Sequence, residues 1–189
     1  MVVLVHGTLA TAGAWRPLRS RLAELDRTHS AAFSFGPTLG ISGVAAALGS
    51  LVAQLPERVR IHLVGHSLGG LAVRWFVQEM TGDPRVVQTI SVAPPFAGAR
   101  GARFFPGPVG RDMRSGSQAL RRLMVTASLP KLPHLSIFGS ADTAVPIDTT
   151  FPAGDREVIS DAGHNALLFH EGVVGLIIER LRALPSEPR

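Results

Sequence analysis

Cysteine is absent from this 189-residue chain, which excludes a disulfide framework, a zinc ribbon and a thiol nucleophile. Its absence fits a cytosolic or an exported protein equally well. Lysine is nearly absent too: Lys131 stands alone beside 18 arginines. The arginines are scattered, with Arg121 and Arg122 the only adjacent pair, so the net charge of +5 forms no run of the kind that grips nucleic acid. Charged residues are few, at 17% against 46% apolar, which argues against a disordered chain and for a sizeable core. No apolar run approaches the roughly 18 residues needed to cross a bilayer. No internal repeat and no long linker interrupts the chain. The length fits a single domain over residues 1–184, followed by a frayed tail at 185–189. A secretory signal would show a charged start, an apolar centre and a small-residue cleavage site. Val2 to Val5 instead reads as a buried strand, so a cytoplasmic protein is expected, with secretion left open if a leader has been trimmed.

Short apolar runs alternate with helical spacing. Strands are expected at Val2–Val5, Ala31–Phe35, Ile61–Val64, Val86–Val92, His134–Phe138 and Glu157–Ser160. Ile41, Val44, Ala45, Leu48, Leu51, Val52 and Leu55 form one apolar stripe on a helix, with Ser42 placed to cap it. Similar stripes run through Trp15, Leu18, Leu22 and Leu25, through Leu68, Leu71, Ala72, Trp75 and Phe76, and through Val174, Ile177, Ile178 and Leu181. The strands are apolar throughout rather than alternating, as expected where helices cover both faces of a parallel sheet. The fold class is therefore α/β: an open, mostly parallel six-stranded sheet with helices on both faces. Sites in such sheets sit at the carboxyl ends of the strands.

The third strand runs through Gly65-His66-Ser67-Leu68-Gly69-Gly70 straight into a helix. This is G-x-S-x-G between a strand and a helix, the pattern of a nucleophile elbow. The serine must stand on a sharp turn, side chains at positions 65 and 69 would collide with backbone, and the helix aims free N–H groups at the site. Serine needs a base. His62 is mid-strand, His29 and His134 are at strand starts, and His66 points away from the serine's base. His6 closes the first strand and reads as structural support, while His170 falls within the last helical segment. His164 remains, on the loop between the last strand and the last helix. Asp142, just past the fifth strand, is the expected carboxylate partner, with Asp148 and Asp161 as rivals. The order Ser67, Asp142, His164 is that of the α/β-hydrolases. Backbone N–H groups of Thr8 and Leu68 are the expected oxyanion donors. No metal site is expected: His62 and His66 are four apart, but on a strand and a turn their side chains diverge.

VVLVHG followed by TLATAGAW, GHSLGGLAVRWF, IFGSADTAVP and DAGHN spread over residues 2–165. In these pieces the chain resembles the α/β-hydrolase superfamily, and within it the small bacterial lipases and esterases. Similar lipases carry Thr-Pro-His after the strand that follows the elbow helix. Here Ser91–Gly98 keeps the prolines and glycine but has Phe96 in place of the histidine. Larger relatives have two strands before the His-Gly strand, so this chain looks like a minimal six-stranded version. The resemblance implies hydrolysis of carboxylic esters through an acyl-enzyme, without a cofactor, on a small-molecule or lipid ester with an apolar acyl group.

The segment 94–116 is rich in Pro, Gly and Arg and follows a strand's carboxyl end. It reads as a short cap whose Phe96, Phe104 and Phe105 line an acyl pocket, or as a surface loop whose phenylalanines plug the core. Leu9, Val145 and Leu167 are further candidates for the pocket wall. Two other functions fit the same residues: acyl transfer or thioester hydrolysis on the same triad, and ligand binding on a hydrolase scaffold without turnover.

Overall fold

The computed structural model describes residues 1–80, 82–129, 131–147 and 151–183. The rival carboxylate Asp148 and the tail 185–189 lie outside the described residues. Six strands, β1 (Val2–Val5), β2 (Ser30–Phe33), β3 (Ile61–His66), β4 (Val86–Val92), β5 (His134–Gly139) and β6 (Asp155–Ile159), form one sheet in the order β2-β1-β3-β4-β5-β6. Every neighbouring pair is parallel. Parallel neighbours need crossovers, and helices α1 (Arg16–Ala23), α2 (Ile41–Ala53), α3 (Leu68–Glu79), α4 (Gly107–Asp112), α5 (Gln118–Val125) and α6 (Glu171–Ala183) lie among them.

The buried apolar positions of the inner strands belong to two separate cores. Successive strand residues point to opposite faces, so Val3, Val5, Ile61 and Leu63 join α2, α3, α4 and α5 on one side. Val2, Leu4, Val64, Ile90, Leu135 and Ile137 join α1 and α6 on the other. The edge strand β6 is exposed along most of its length and carries Asp155, Arg156 and Glu157, charges that discourage pairing with another chain. Among the described residues no helix is long and apolar enough to cross a membrane.

Three local readings are corrected. Ser42 does not cap α2: its N-cap is Gly40, and the carboxylate of Asp112 accepts from the Ile41 N–H at 3.0 Å. That carboxylate comes from the end of α4, seventy-one residues away, so no local pattern announces it. His170 is not inside the last helix but immediately before it, and its Nδ1 accepts from the Gly172 N–H at 3.1 Å. Helices α4 and α5 are not anticipated; α5 has a readable signature in Ser117, whose hydroxyl accepts from the Leu120 N–H, and in the buried pair Leu120 and Leu123. Asp112 thus ties the 94–116 segment to α2, the crossover between β2 and β3. Replacing Asp112 with Ala should lower stability by about 1–2 kcal/mol, the usual cost of a lost buried cap, read as a shifted urea midpoint; an unchanged midpoint would refute the capping role.

Candidate active site

The turn from β3 into α3 is built by close backbone approach. A Cβ at Gly65 would stand 2.2 Å from the Gly69 carbonyl oxygen, and one at Gly69 would stand 2.3 Å from that of Val5. With both side chains absent, α3 starts directly against the sheet and Ser67 is forced to φ 51°, ψ −119°. Such a conformation costs a non-glycine residue on the order of 1–3 kcal/mol. Ser67 is fastened there by its N–H, which donates to Val92 at 2.8 Å, and by its carbonyl, which accepts from Gly70 at 2.9 Å.

The loops after β5 and β6 lie side by side. A Cβ on Gly139 would meet the Ala162 carbonyl oxygen at 2.1 Å, and Ala141 donates its N–H to that same carbonyl at 3.2 Å. This contact lets Asp142 and His164 meet. His164 Nδ1 donates to Asp142 Oδ2 at 2.7 Å, and the N–H groups of Ala144 and Val145 donate to Oδ1 at 2.8 and 2.9 Å. The Asp142 side chain is 2% exposed and that of His164 20%, so the carboxylate is sealed while the imidazole reaches solvent. Burial pushes the Asp142 carboxyl up, but the hydrogen bonds from His164, Val145 and Ala144 outweigh it and hold the group below the ordinary carboxylate range. The rival Asp161 is exposed, and its N–H donates to the Ser140 hydroxyl at 2.8 Å. The His164 ring lies 4.8 Å, centroid to centroid, from that of His66, the residue before Ser67.

His6 supports the loop after β1. Its Nδ1–H donates to Gly7 at 2.7 Å, its Nε2 accepts from the Phe35 N–H at 3.2 Å, and its ring stacks on Phe35 at 3.9 Å. The two bonds require the neutral Nδ1–H tautomer. A Cβ at Gly7 would lie 3.0 Å from the Ser67 Cβ, so the loop carrying Thr8 passes directly over the serine.

A family model described as the alpha/beta hydrolase family matches residues 2–176. The chain belongs to the alpha/beta hydrolase family. Comparison with curated proteins gives no match. Among solved structures, this alpha/beta hydrolase is similar to the mature lipase BlEst2 of Bacillus licheniformis, at 14% identity and a TM-score of 0.79 over 95% of this chain and 91% of that one. It is also similar to a thermophilic esterase from Thermogutta terrifontis, at 20% identity and a TM-score of 0.65 over 96% and 89% of the two chains. A third likeness is to the carboxylesterase CesB of Bacillus subtilis, at 17% identity and a TM-score of 0.62 over 96% and 83%.

The expected pocket wall of this alpha/beta hydrolase is largely redistributed. Phe96, Val145 and Leu167 are sealed, at 1%, 1% and 0% exposure. Phe96 stacks on Phe151 at 4.1 Å and plugs the core, and Leu167 packs in the core on the α6 side. Phe105 is half-buried against the α2–α3 core. Leu9 and Phe104 are exposed, Leu9 at φ 59° and Phe104 beneath the guanidinium of Arg103. The 94–116 segment is moored at both sides of the site: Arg100 donates its N–H to Ala144 at 2.8 Å, and Thr8 Oγ1 contacts Met113 Sδ at 3.9 Å. A cavity of ≈ 800 Å³ lies elsewhere, lined by Trp75, Arg111, Arg114 and Arg122, and includes none of Ser67, Asp142 and His164.

Two contributions escape the sequence: the backbone N–H groups of Ala144 and Val145 on the carboxylate, and His66. Its side chain does not point away from His164; its Nε2–H donates to the His164 carbonyl at 3.1 Å. His62 goes to a different partner, Gln88, at 2.8 Å.

Several imidazoles are held neutral. Burial, the N-terminal ammonium and Arg60 push His62 down to about 4. Burial and His164 push His66 down to about 3. Burial and Arg74 hold His134 well below the ordinary value. Each takes up a proton more readily unfolded, near pH 6.5, than folded, so stability is fully present above about pH 6.5 and is lost as pH falls toward 4. The urea midpoint should therefore begin to decline below about pH 6.5, above the range in which most carboxylates titrate, and less steeply in His62→Gln. A midpoint constant from pH 7 to pH 4.5 would contradict this.

Proposed function

We propose that this alpha/beta hydrolase is a serine esterase acting on carboxylic esters with apolar acyl groups. The observation that carries the reading is the bonded pair Asp142–His164, its imidazole 4.8 Å from the ring of His66, with the next residue, Ser67, held in a strained turn at the end of β3. The names of the similar structures, a lipase, an esterase and a carboxylesterase, support an ester as the substrate.

In this mechanism the Ser67 hydroxyl attacks the ester carbonyl carbon while His164 Nε2 takes its proton. Asp142 holds the Nδ1–H tautomer and stabilises the imidazolium that forms. The negative oxygen of the tetrahedral intermediate accepts from the backbone N–H groups of Thr8 and Leu68, the latter at the positive end of α3. Each such donor contributes on the order of 3 kcal/mol in the transition state. The intermediate collapses as His164 returns its proton to the departing alkoxide, which leaves as alcohol. Water, deprotonated by the same imidazole, then attacks the acyl-serine, and the acid is released with Ser67 regenerated. Beyond the ester and water, each step uses groups of this chain.

Ser67→Ala should remove turnover of p-nitrophenyl esters and labelling by a fluorophosphonate while leaving thermal unfolding intact. Asp142→Asn should lower kcat by about 10³–10⁴-fold, because the amide cannot hold the productive tautomer. Turnover that survives Ser67→Ala overturns the assignment, and a wild-type serine that resists the fluorophosphonate points to a binding protein instead. A panel of acyl esters and thioesters, run with and without added alcohol, separates hydrolysis from acyl transfer.

A further inference from the structure

His66 takes no part in the chemistry proposed above, yet its imidazole is only 2% exposed and lies beside it. The His164 carbonyl can only accept, so the 3.1 Å contact places the proton of His66 on Nε2. Nδ1 is then a bare acceptor, and it is buried without a hydrogen-bond partner. Gly7 closes that side of the ring: a Cβ there would stand 2.8 Å from Nδ1. One side chain therefore meets three parts of the site. It is carried by the residue before the serine, it packs beneath the loop that leads to Thr8, and it is bonded to the backbone of the base.

Stability does not account for an imidazole here. The ring makes one neutral hydrogen bond and leaves one polar atom buried and unsatisfied, and those two effects oppose each other. A leucine would fill similar space without the orphaned nitrogen. We infer that His66 is a positioning residue, whose Nε2–H holds the His164 backbone in register with Ser67 and whose ring sets the spacing between the base loop and the loop over the serine. The inference rests on the Ser67–His164 mechanism. Burial and the nearby His164 push the His66 imidazole down to about 3, so the ring stays neutral through the working range and sets no second cation against the imidazolium that forms at His164.

The test compares His66→Leu, which removes the donor, with His66→Gln, whose amide N–H extends to a similar distance. On a soluble p-nitrophenyl ester, His66→Leu should lower kcat by about 10–100-fold, the scale expected when a reacting group is misplaced by about an ångström. KM should stay within about twofold, because the acyl site is untouched. Fluorophosphonate labelling of Ser67 should slow in parallel, with thermal unfolding little changed, and His66→Gln should recover most of the rate. A folded His66→Leu protein that turns over at the wild-type rate overturns the inference, as does a His66→Gln protein no faster than His66→Leu. If the leucine variant does not fold, His66→Phe, which keeps the ring without the donor, takes its place in the comparison. The Ser67→Ala control separates the two levels: turnover surviving there defeats the mechanism itself, whereas a dead Ser67→Ala beside a fully active His66→Leu defeats only the positioning role.

Discussion

The backbone of Ser67 occupies a region that L-residues avoid, and the surrounding structure is what keeps it there. The strain of about 1–3 kcal/mol is localised in one residue, whereas the restraint is shared. Gly65 and Gly69 let α3 begin in contact with β3 and β1, and the apolar face of α3 then buries Leu68, Leu71, Val73 and Phe76. Full burial of one such side chain is worth about 1.5–3 kcal/mol, so the packing of α3 exceeds the strain several times over. The helix cannot retreat to relax the turn without uncovering that face. The strained turn at Ser67 is thus a consequence of where α3 is forced to lie.

The same logic of contact governs the other two loops. Strands β5 and β6 are neighbours in the sheet, so the loops that leave them start about one strand spacing apart. The missing side chain of Gly139 allows those loops to touch, and Asp142 is then held by three donors on its two oxygens. A carboxylate satisfied by two backbone N–H groups and one imidazole has little freedom to rotate. His164 is held from the opposite side by its own carbonyl, through His66. The arrangement is stiff at the sealed carboxylate and open at the imidazole, which reaches solvent.

Much of this was legible in the residue pattern, and the reasons differ from element to element. Strands β1, β3, β4 and β5 are short apolar runs flanked by turn residues, a signal carried within a few positions. The elbow is equally local, because the glycines and the serine sit within five residues of one another. Asp142 and His164 stood out by a topological rule, since both follow a strand and precede the next element. The cap of α2 was misplaced because Ser42 is the nearest polar side chain, whereas Asp112 reaches the helix from another part of the chain. His66 was misjudged because alternation along a strand sends its side chain away from that of Ser67, yet away from Ser67 is where the His164 backbone passes. The candidate pocket residues diverged most, because whether a phenylalanine faces a cleft or the core depends on what packs over it, and Phe151 packs over Phe96.

By itself the sequence determined the fold class, the six strands with four of the helices between and after them, and the chemical identity of the groups at the sheet's carboxyl edge. These depend on periodicity and on short-range sterics, which act over a few residues and are readable as spacing. Tertiary structure alone decided the strand order, the hydrogen bond between Asp142 and His164, the cap on α2, the seat of His66 and which apolar side chains are sealed. Those depend on approach between segments tens of residues apart, and distance along the chain carries no information about distance in space until the two cores have formed.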